Sequence, residues 1–162
     1  MNYFKIESVE CNNGYGFGTT LYVAGCEHHC RACFNKPTWN RYGGEPFTEN
    51  TMEYLKKVVL NPNITRLTIS GGDPLSVYNR ISVLQICRDI KELREDIRIW
   101  IYTGYTFEQL KEQSTSLVFD LQQYVDYLVD GKYDENELHT KAFRGSDNQR
   151  VWNLKTMQEE QV

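Results

Sequence analysis

Apolar and polar residues alternate through residues 3–9, which predicts a strand. Asn12-Asn13-Gly14-Tyr15-Gly16-Phe17-Gly18 then reads as a turn, because Gly and Asn tolerate positive φ. Thr19 to Ala24 is β-branched and aromatic and predicts a second strand. Asn35 to Pro46 is rich in turn formers, so an irregular segment packed over the preceding loop is expected. Thr48 is a helix cap, with Met52, Leu55 and Val59 at helical spacing behind it and Asn61-Pro62-Asn63 as the stop. Thr65 to Ile69 is a strand broken by Ser70-Gly71-Gly72-Asp73-Pro74. Val83, Ile86, Ile90 and Leu93 mark an amphipathic helix over 77–94. Ile97 to Tyr102 is a strand followed by Thr103-Gly104-Tyr105. Thr106 with Gln109 signals a capping box. Leu117 to Tyr124 is helical. Val125 to Val129 is a strand ending at Asp130-Gly131-Lys132, and Val151 to Leu154 is a short strand-like run.

Strand, loop and helix therefore repeat, which predicts an α/β fold with a parallel sheet and right-handed crossovers. A closed (β/α)₈ barrel takes about 250 residues. The 162 residues here predict an open, partial β/α barrel, truncated relative to a full TIM barrel, in a single domain spanning 1–162. Parallel strands bring their carboxyl ends to one edge, where ligands bind. Four loops leave that edge: residues 25–34, Gly71-Gly72-Asp73, Thr103-Gly104-Tyr105 and Asp130-Gly131-Lys132. Sequence-distant motifs thus converge on one site. Thr103-Gly104-Tyr105 is either a plain loop or part of the cavity lining, and Asp130 and Lys132 read most simply as a solvated turn.

A formal net charge of -4 argues against a chain built to coat nucleic acid, as does the lack of an Arg/Lys stripe interleaved with aromatics. With no run of about 18 apolar residues, no membrane span is expected. The start, Met1-Asn2-Tyr3-Phe4-Lys5, does not read as a signal peptide, so a cytoplasmic location is expected.

The densest chemistry lies in Gly25-Cys26-Glu27-His28-His29-Cys30-Arg31-Ala32-Cys33-Phe34. Cys26, Cys30 and Cys33 are close enough to face one soft metal centre. A structural zinc site takes four ligands, and His28 or His29 is the candidate fourth, although both sit in a tight gap between cysteines. A four-iron cluster held by three cysteines instead leaves one iron open. In that case His28 and His29 are exposed polar residues beside it. The odd count of five cysteines does not suggest a disulfide framework. Cys87 reads as a small buried hydrophobe and Cys11 as a bystander.

The spacing Cys-x3-Cys-x2-Cys followed by aromatic Phe34 resembles the radical S-adenosylmethionine (SAM) superfamily, over nearly the whole chain. The resemblance implies a partial barrel of the radical SAM type. It implies a [4Fe–4S] cluster on Cys26, Cys30 and Cys33, which are then the catalytic and metal-binding residues. The open iron takes the amino and carboxylate groups of SAM, and one electron cleaves SAM to methionine and a 5′-deoxyadenosyl radical that abstracts hydrogen from a substrate. It also implies SAM contacts from Ala32, Cys33, Phe34, Gly71, Gly72 and Asp73. Asp73 either favours the cationic ammonium or simply begins a helix.

Asn35-Lys36-Pro37-Thr38-Trp39, Ser70-Gly71-Gly72-Asp73-Pro74-Leu75, Trp100-Ile101-Tyr102-Thr103-Gly104-Tyr105, Val129-Asp130-Gly131-Lys132 and Arg144-Gly145-Ser146-Asp147-Asn148-Gln149 together resemble the activating proteins of anaerobic (class III) ribonucleoside-triphosphate reductases. This implies that the large reductase subunit is the partner and one of its glycines the hydrogen donor. It also implies a reductant such as flavodoxin or ferredoxin, and an Arg144–Gln149 tail that orders the site or meets the reductase. Three positions depart from the pattern: Phe34 where Tyr is frequent, Tyr15 where Pro is expected, and Gly18 where Arg is expected. The competing readings are an activase of pyruvate formate-lyase, a small-molecule radical SAM enzyme, and a non-catalytic zinc-binding module.

Overall fold

A computed structural model describes residues 1–162. The strands are β1 (Asn2–Glu10), β2 (Gly18–Val23), β3 (Glu45–Pro46), β4 (Arg66–Gly71), β5 (Arg98–Tyr102), β6 (Tyr127–Asp130), β7 (Arg150–Asn153) and β8 (Gln158–Glu159). The helices are α1 (Glu49–Val59), α2 (Arg80–Leu93), α3 (Phe107–Gln113) and α4 (Thr115–Tyr124). All eight strands share one open sheet in the order β3-β1-β2-β4-β5-β6-β7-β8.

The expectation of a parallel sheet holds for the centre only. β2, β4, β5 and β6 run parallel, whereas β1 and β3 on one side and β7 and β8 on the other add antiparallel. For β1 and β2 the reason is connection length. Residues 11–17 suffice for an antiparallel turn, whereas a parallel crossover needs a dozen residues or more.

Alternation along the central strands sorts the two faces. Leu21, Val23, Leu67, Ile69, Ile99, Ile101 and Leu128 join Leu55, Val59, Val83, Ile86, Ile90, Leu110 and Leu121 of the helices in one buried core. Each such side chain contributes roughly 1.5–3 kcal/mol on burial. Trp100, Val129 and Val151 point the other way, into a second cluster with Tyr102, Tyr127 and Phe143.

Helix starts follow local chemistry. Thr48 and Thr51 form a capping box at α1, and Thr106 and Gln109 form one at α3. Helix α2 begins three residues later than periodicity suggests. Asn79, which precedes it, is buried, and its side-chain amide donates to the carbonyls of Ala24 (2.8 Å) and Asp73 (2.9 Å). Part of the segment 35–46 is regular: Lys36–Trp39 form a 3-10 turn that accepts from Gly25 N–H and Cys26 N–H.

The departure at Gly18 has a structural answer. Gly18 pairs with Arg66 of β4, and a Cβ at 18 would lie 2.5 Å from the Arg66 guanidinium carbon. The glycine therefore makes room for an arginine supplied by the neighbouring strand. Arg66 is fully buried, pairs with Glu10 at 2.6 Å and donates to the carbonyls of Asn13 and Tyr15. It fixes the 11–17 turn against the helix-free face. Tyr15 packs edge-on against Trp100, Tyr127 and Phe143 there.

Candidate functional site

Above the carboxyl ends of β2, β4, β5 and β6 lies a cavity of about 380 Å³. Cys26, Cys30, Cys33 and Phe34 line it from the first loop, and Gly71, Gly72 and Asp73 from the second. Thr103, Gly104 and Gly131 come from the other two, so all four expected loops meet. Ala32 is not among the lining residues. It is exposed, with a left-handed φ of 55°, and His29 has a φ of 48°. Such conformations cost roughly 1 kcal/mol or more outside glycine.

The tail closes the far side. Arg144, Gly145 and Gln149 line the cavity. The Gln149 side chain donates to Gly131 O (2.8 Å) and accepts from Gly145 N–H (2.8 Å), which ties the tail to the loop after β6. Tyr102 donates to Phe143 O at 2.7 Å. Sequence reasoning missed Asn12, Asn13, Tyr22, Tyr133 and Phe143 as wall residues. Nothing in their local pattern marks them, since they arrive through the sheet's helix-free face.

The three thiols are half-buried. Burial pushes the Cys26 thiol up to about 11, against backbone N–H groups of His28 and His29 that favour the thiolate. Burial also raises Cys30, opposed by the Tyr133 N–H. Asn35 N–H donates to Cys33 Sγ at 3.3 Å. Each sulfur thus faces backbone donors, the arrangement that tunes iron–sulfur centres. No group of three or more His, Cys, Asp or Glu side chains is gathered to hold a single ion. Three separate thiols around one cavity fit a polynuclear iron–sulfur centre, in which different irons take different thiolates. Cys87 is fully buried, with its thiol pushed up to about 12, and Cys11 is exposed; neither lines the cavity.

Two readings need correction. His28 is not an exposed bystander. Its side chain is only 7% exposed, its Nε2 lies 2.6 Å from Asp73 Oδ2, and its ring stands edge-on to Tyr105 at 4.5 Å. Asp130 is not a solvated turn residue either. It is buried, accepts from Phe107 N–H at 2.7 Å at the start of α3, and pairs with Arg150. A buried carboxylate needs such partners, which the short Asp-Gly-Lys pattern does not display. Lys132 is exposed as expected, and His29 is exposed beside Trp39.

Asp73 is the hub of the site. Its carboxylate, 1% exposed, accepts from Leu75 N–H (2.8 Å), Gly104 N–H (3.0 Å) and the Thr103 hydroxyl (2.9 and 3.0 Å), besides facing His28. Gly72 is required by close backbone approach: a Cβ there would lie 2.5 Å from Gly25 O. Gly72 N–H donates to Val23 O and Asp73 N–H to Gly25 O, which sews the second loop to the first.

No helix is long and apolar enough to cross a membrane. Residues 12–152 match the 4Fe-4S single cluster domain family. The anaerobic ribonucleoside-triphosphate reductase-activating protein of Enterobacteria phage T4 is 40% identical, over 94% of both chains. Proteins of the same name are 35% identical in Pasteurella multocida, over 94% of this chain and 97% of the relative, and in Escherichia coli K12, over 96% and 100%. With three half-buried thiols on one cavity, a matching iron–sulfur domain and relatives aligned almost end to end, the chain belongs to the family of anaerobic ribonucleoside-triphosphate reductase-activating proteins.

Proposed function

We propose that this chain is a radical SAM activase that installs a glycyl radical on an anaerobic ribonucleoside-triphosphate reductase. The observation that carries the proposal is the convergence of Cys26, Cys30 and Cys33 on one cavity at the carboxyl edge of the parallel strands. These residues would hold a [4Fe–4S] cluster with one iron left for SAM. The open sheet, with helices on one face only, is read as a partial barrel whose inner face carries Tyr22, Arg66, Trp100 and Tyr102. When bound, the cluster and SAM would supply one-electron reductive cleavage of SAM and, through it, the means to remove a hydrogen atom from a glycine of the partner.

The chain's own residues bind and orient. Gly72 N–H is already donated to Val23, so Gly72 can offer its carbonyl to a cationic amino group. The Asp73 carboxylate is already occupied, so its contribution is to hold the second and third loops together rather than to meet the ammonium directly. Phe34, 75% exposed beside Tyr133, presents an aromatic face at the rim for an adenine ring. Arg144 and Gln149 wall the side at which a protein segment would enter. A cytoplasmic setting and a flavodoxin- or ferredoxin-type reductant belong to the same proposal.

Reconstitution with iron and sulfide under anaerobic conditions, followed by dithionite, SAM and the reductase, tests it. The expected result is a brown protein, release of 5′-deoxyadenosine and a glycyl radical signal by electron paramagnetic resonance. A colourless protein carrying zinc, or a reductase left without the signal, would overturn it.

A further inference from the structure

We propose that His28 is a positioning residue: by bonding Asp73 it anchors the start of the cysteine loop to the β4 and β5 loops in the arrangement that retains the iron–sulfur cluster. The inference rests on the cluster reading above but concerns a residue that the cysteine spacing leaves without a role.

The anchor point is built before His28 reaches it. Leu75 N–H, Gly104 N–H and the Thr103 hydroxyl already hold the Asp73 carboxylate, which is 1% exposed, on the edge of the sheet. As a carboxylate it only accepts, so the His28 Nε2–H donates across the 2.6 Å contact. The seat for the ring is shaped as well. A Cβ at Gly104 would lie 2.3 Å from His28 Cδ2, so only glycine there admits the imidazole. Tyr105 closes over the ring edge-on, and its hydroxyl bonds Glu27. Thr103, Gly104 and Tyr105 thus form a socket for the loop that carries the cysteines.

The rest of that loop has no comparable hold. His29 and Ala32 are left-handed and exposed, and the Arg31 side chain is 91% exposed in its pair with Glu135. His28 is therefore the last buried side chain to anchor the loop before Cys30. Outer groups that fix a ligand's geometry tune metal affinity without touching the metal, with losses on the order of 10–100-fold on removal.

The test compares His28→Ala, His28→Gln and Gly104→Ala after anaerobic reconstitution. It reads the rate of iron loss to a chelator and the electron paramagnetic resonance line shape of the reduced cluster. His28→Ala is expected to lose iron about tenfold faster or more and to broaden the signal. His28→Gln, whose Nε2–H reaches about as far as the imidazole Nε2, is expected to restore both. Gly104→Ala, which fills the socket while keeping the histidine, is expected to match His28→Ala and covers the case in which that variant fails to fold. Wild-type retention and line shape in either His28→Ala or Gly104→Ala would overturn the proposal, and so would His28→Gln losing iron as fast as His28→Ala. Wild-type protein that takes up no iron would instead fail the cluster reading itself.

Discussion

The two halves of the cysteine loop are built differently. In the first, Cys26 N–H donates to Trp39 O at 3.1 Å, Glu27 meets the Tyr105 hydroxyl, and His28 reaches Asp73. In the second, His29 and Ala32 take left-handed conformations, and Arg31 and Phe34 stand in solvent. The contrast separates two demands on one short segment. Cys26 is held on the sheet edge by polar contacts on either side of it. Cys30 and Cys33 sit on backbone that turns sharply enough to bring them round the same cavity, while leaving a face exposed. Rigid anchorage and an open rim would conflict if every residue were buried.

The largest expected effect tests whether both halves serve one centre. Cys26→Ala, Cys30→Ala and Cys33→Ala should each abolish iron incorporation, read as iron per chain and visible absorption, whereas Cys11→Ala and Cys87→Ala should keep it. A Cys26→Ala protein with full iron would detach the anchored half from the centre.

Next is the anchor itself. Asp73→Ala leaves buried donors from Leu75, Thr103, Gly104 and His28 without an acceptor. It should cost about 3 kcal/mol in urea unfolding of the iron-free chain. A loss below about 1 kcal/mol would show that the first half is not held this way.

A smaller effect concerns the start of β7, outside the cavity, where Arg150 joins Asp130 to Glu108. The Arg150 guanidinium pulls the Glu108 carboxyl down to about 2 from an ordinary value of 4.5. A carboxylate with a depressed folded-state pKa stabilises the fold above its unfolded value, and that stability is lost as pH falls from about 4.5 towards 2. Glu108 is 58% exposed, so solvent screening limits the effect to a few tenths of a kcal/mol. Comparing Glu108→Gln with wild type across an acid titration of stability should show a gap at neutral pH that closes in acid.

The smallest effect belongs to the open half. Arg31→Ala should change stability by no more than about 0.5 kcal/mol, because its ion pair with Glu135 is solvated. A larger change by chemical denaturation would mean that this half is more firmly tied than its exposure indicates.

The site was unevenly legible in the sequence. The cysteine spacing, the four central strands and the loops after them could all be read, because each is a local pattern of period, turn former or ligand. The burial of His28 and Asp130 could not, since both depend on donors or acceptors far along the chain: Asp73 for the first, and Phe107 and Arg150 for the second. Gly18 looked like the loss of an arginine, yet the cross-strand register with Arg66 supplies one from another strand. The two edge strands were also hidden, because β3 and β8 are two residues long and pair only once their neighbours exist, whereas β1 and β7 were read as strands without their antiparallel direction.

By itself, the sequence determined which atoms are available. Three thiols lie within eight residues, glycines stand at the loops leaving the sheet, and apolar positions recur at strand and helix periods. These are short-range properties of covalent spacing and side-chain chemistry. Only the tertiary structure decided how the atoms are used. It gave Asp73 to the internal ties rather than to solvent, seated His28 over Gly104, and left Cys30 and Cys33 on the open rim. The reason is that a buried polar group must find its partners wherever the packed chain brings them, and separations such as the 45 residues between His28 and Asp73 are bridged only by the folded sheet.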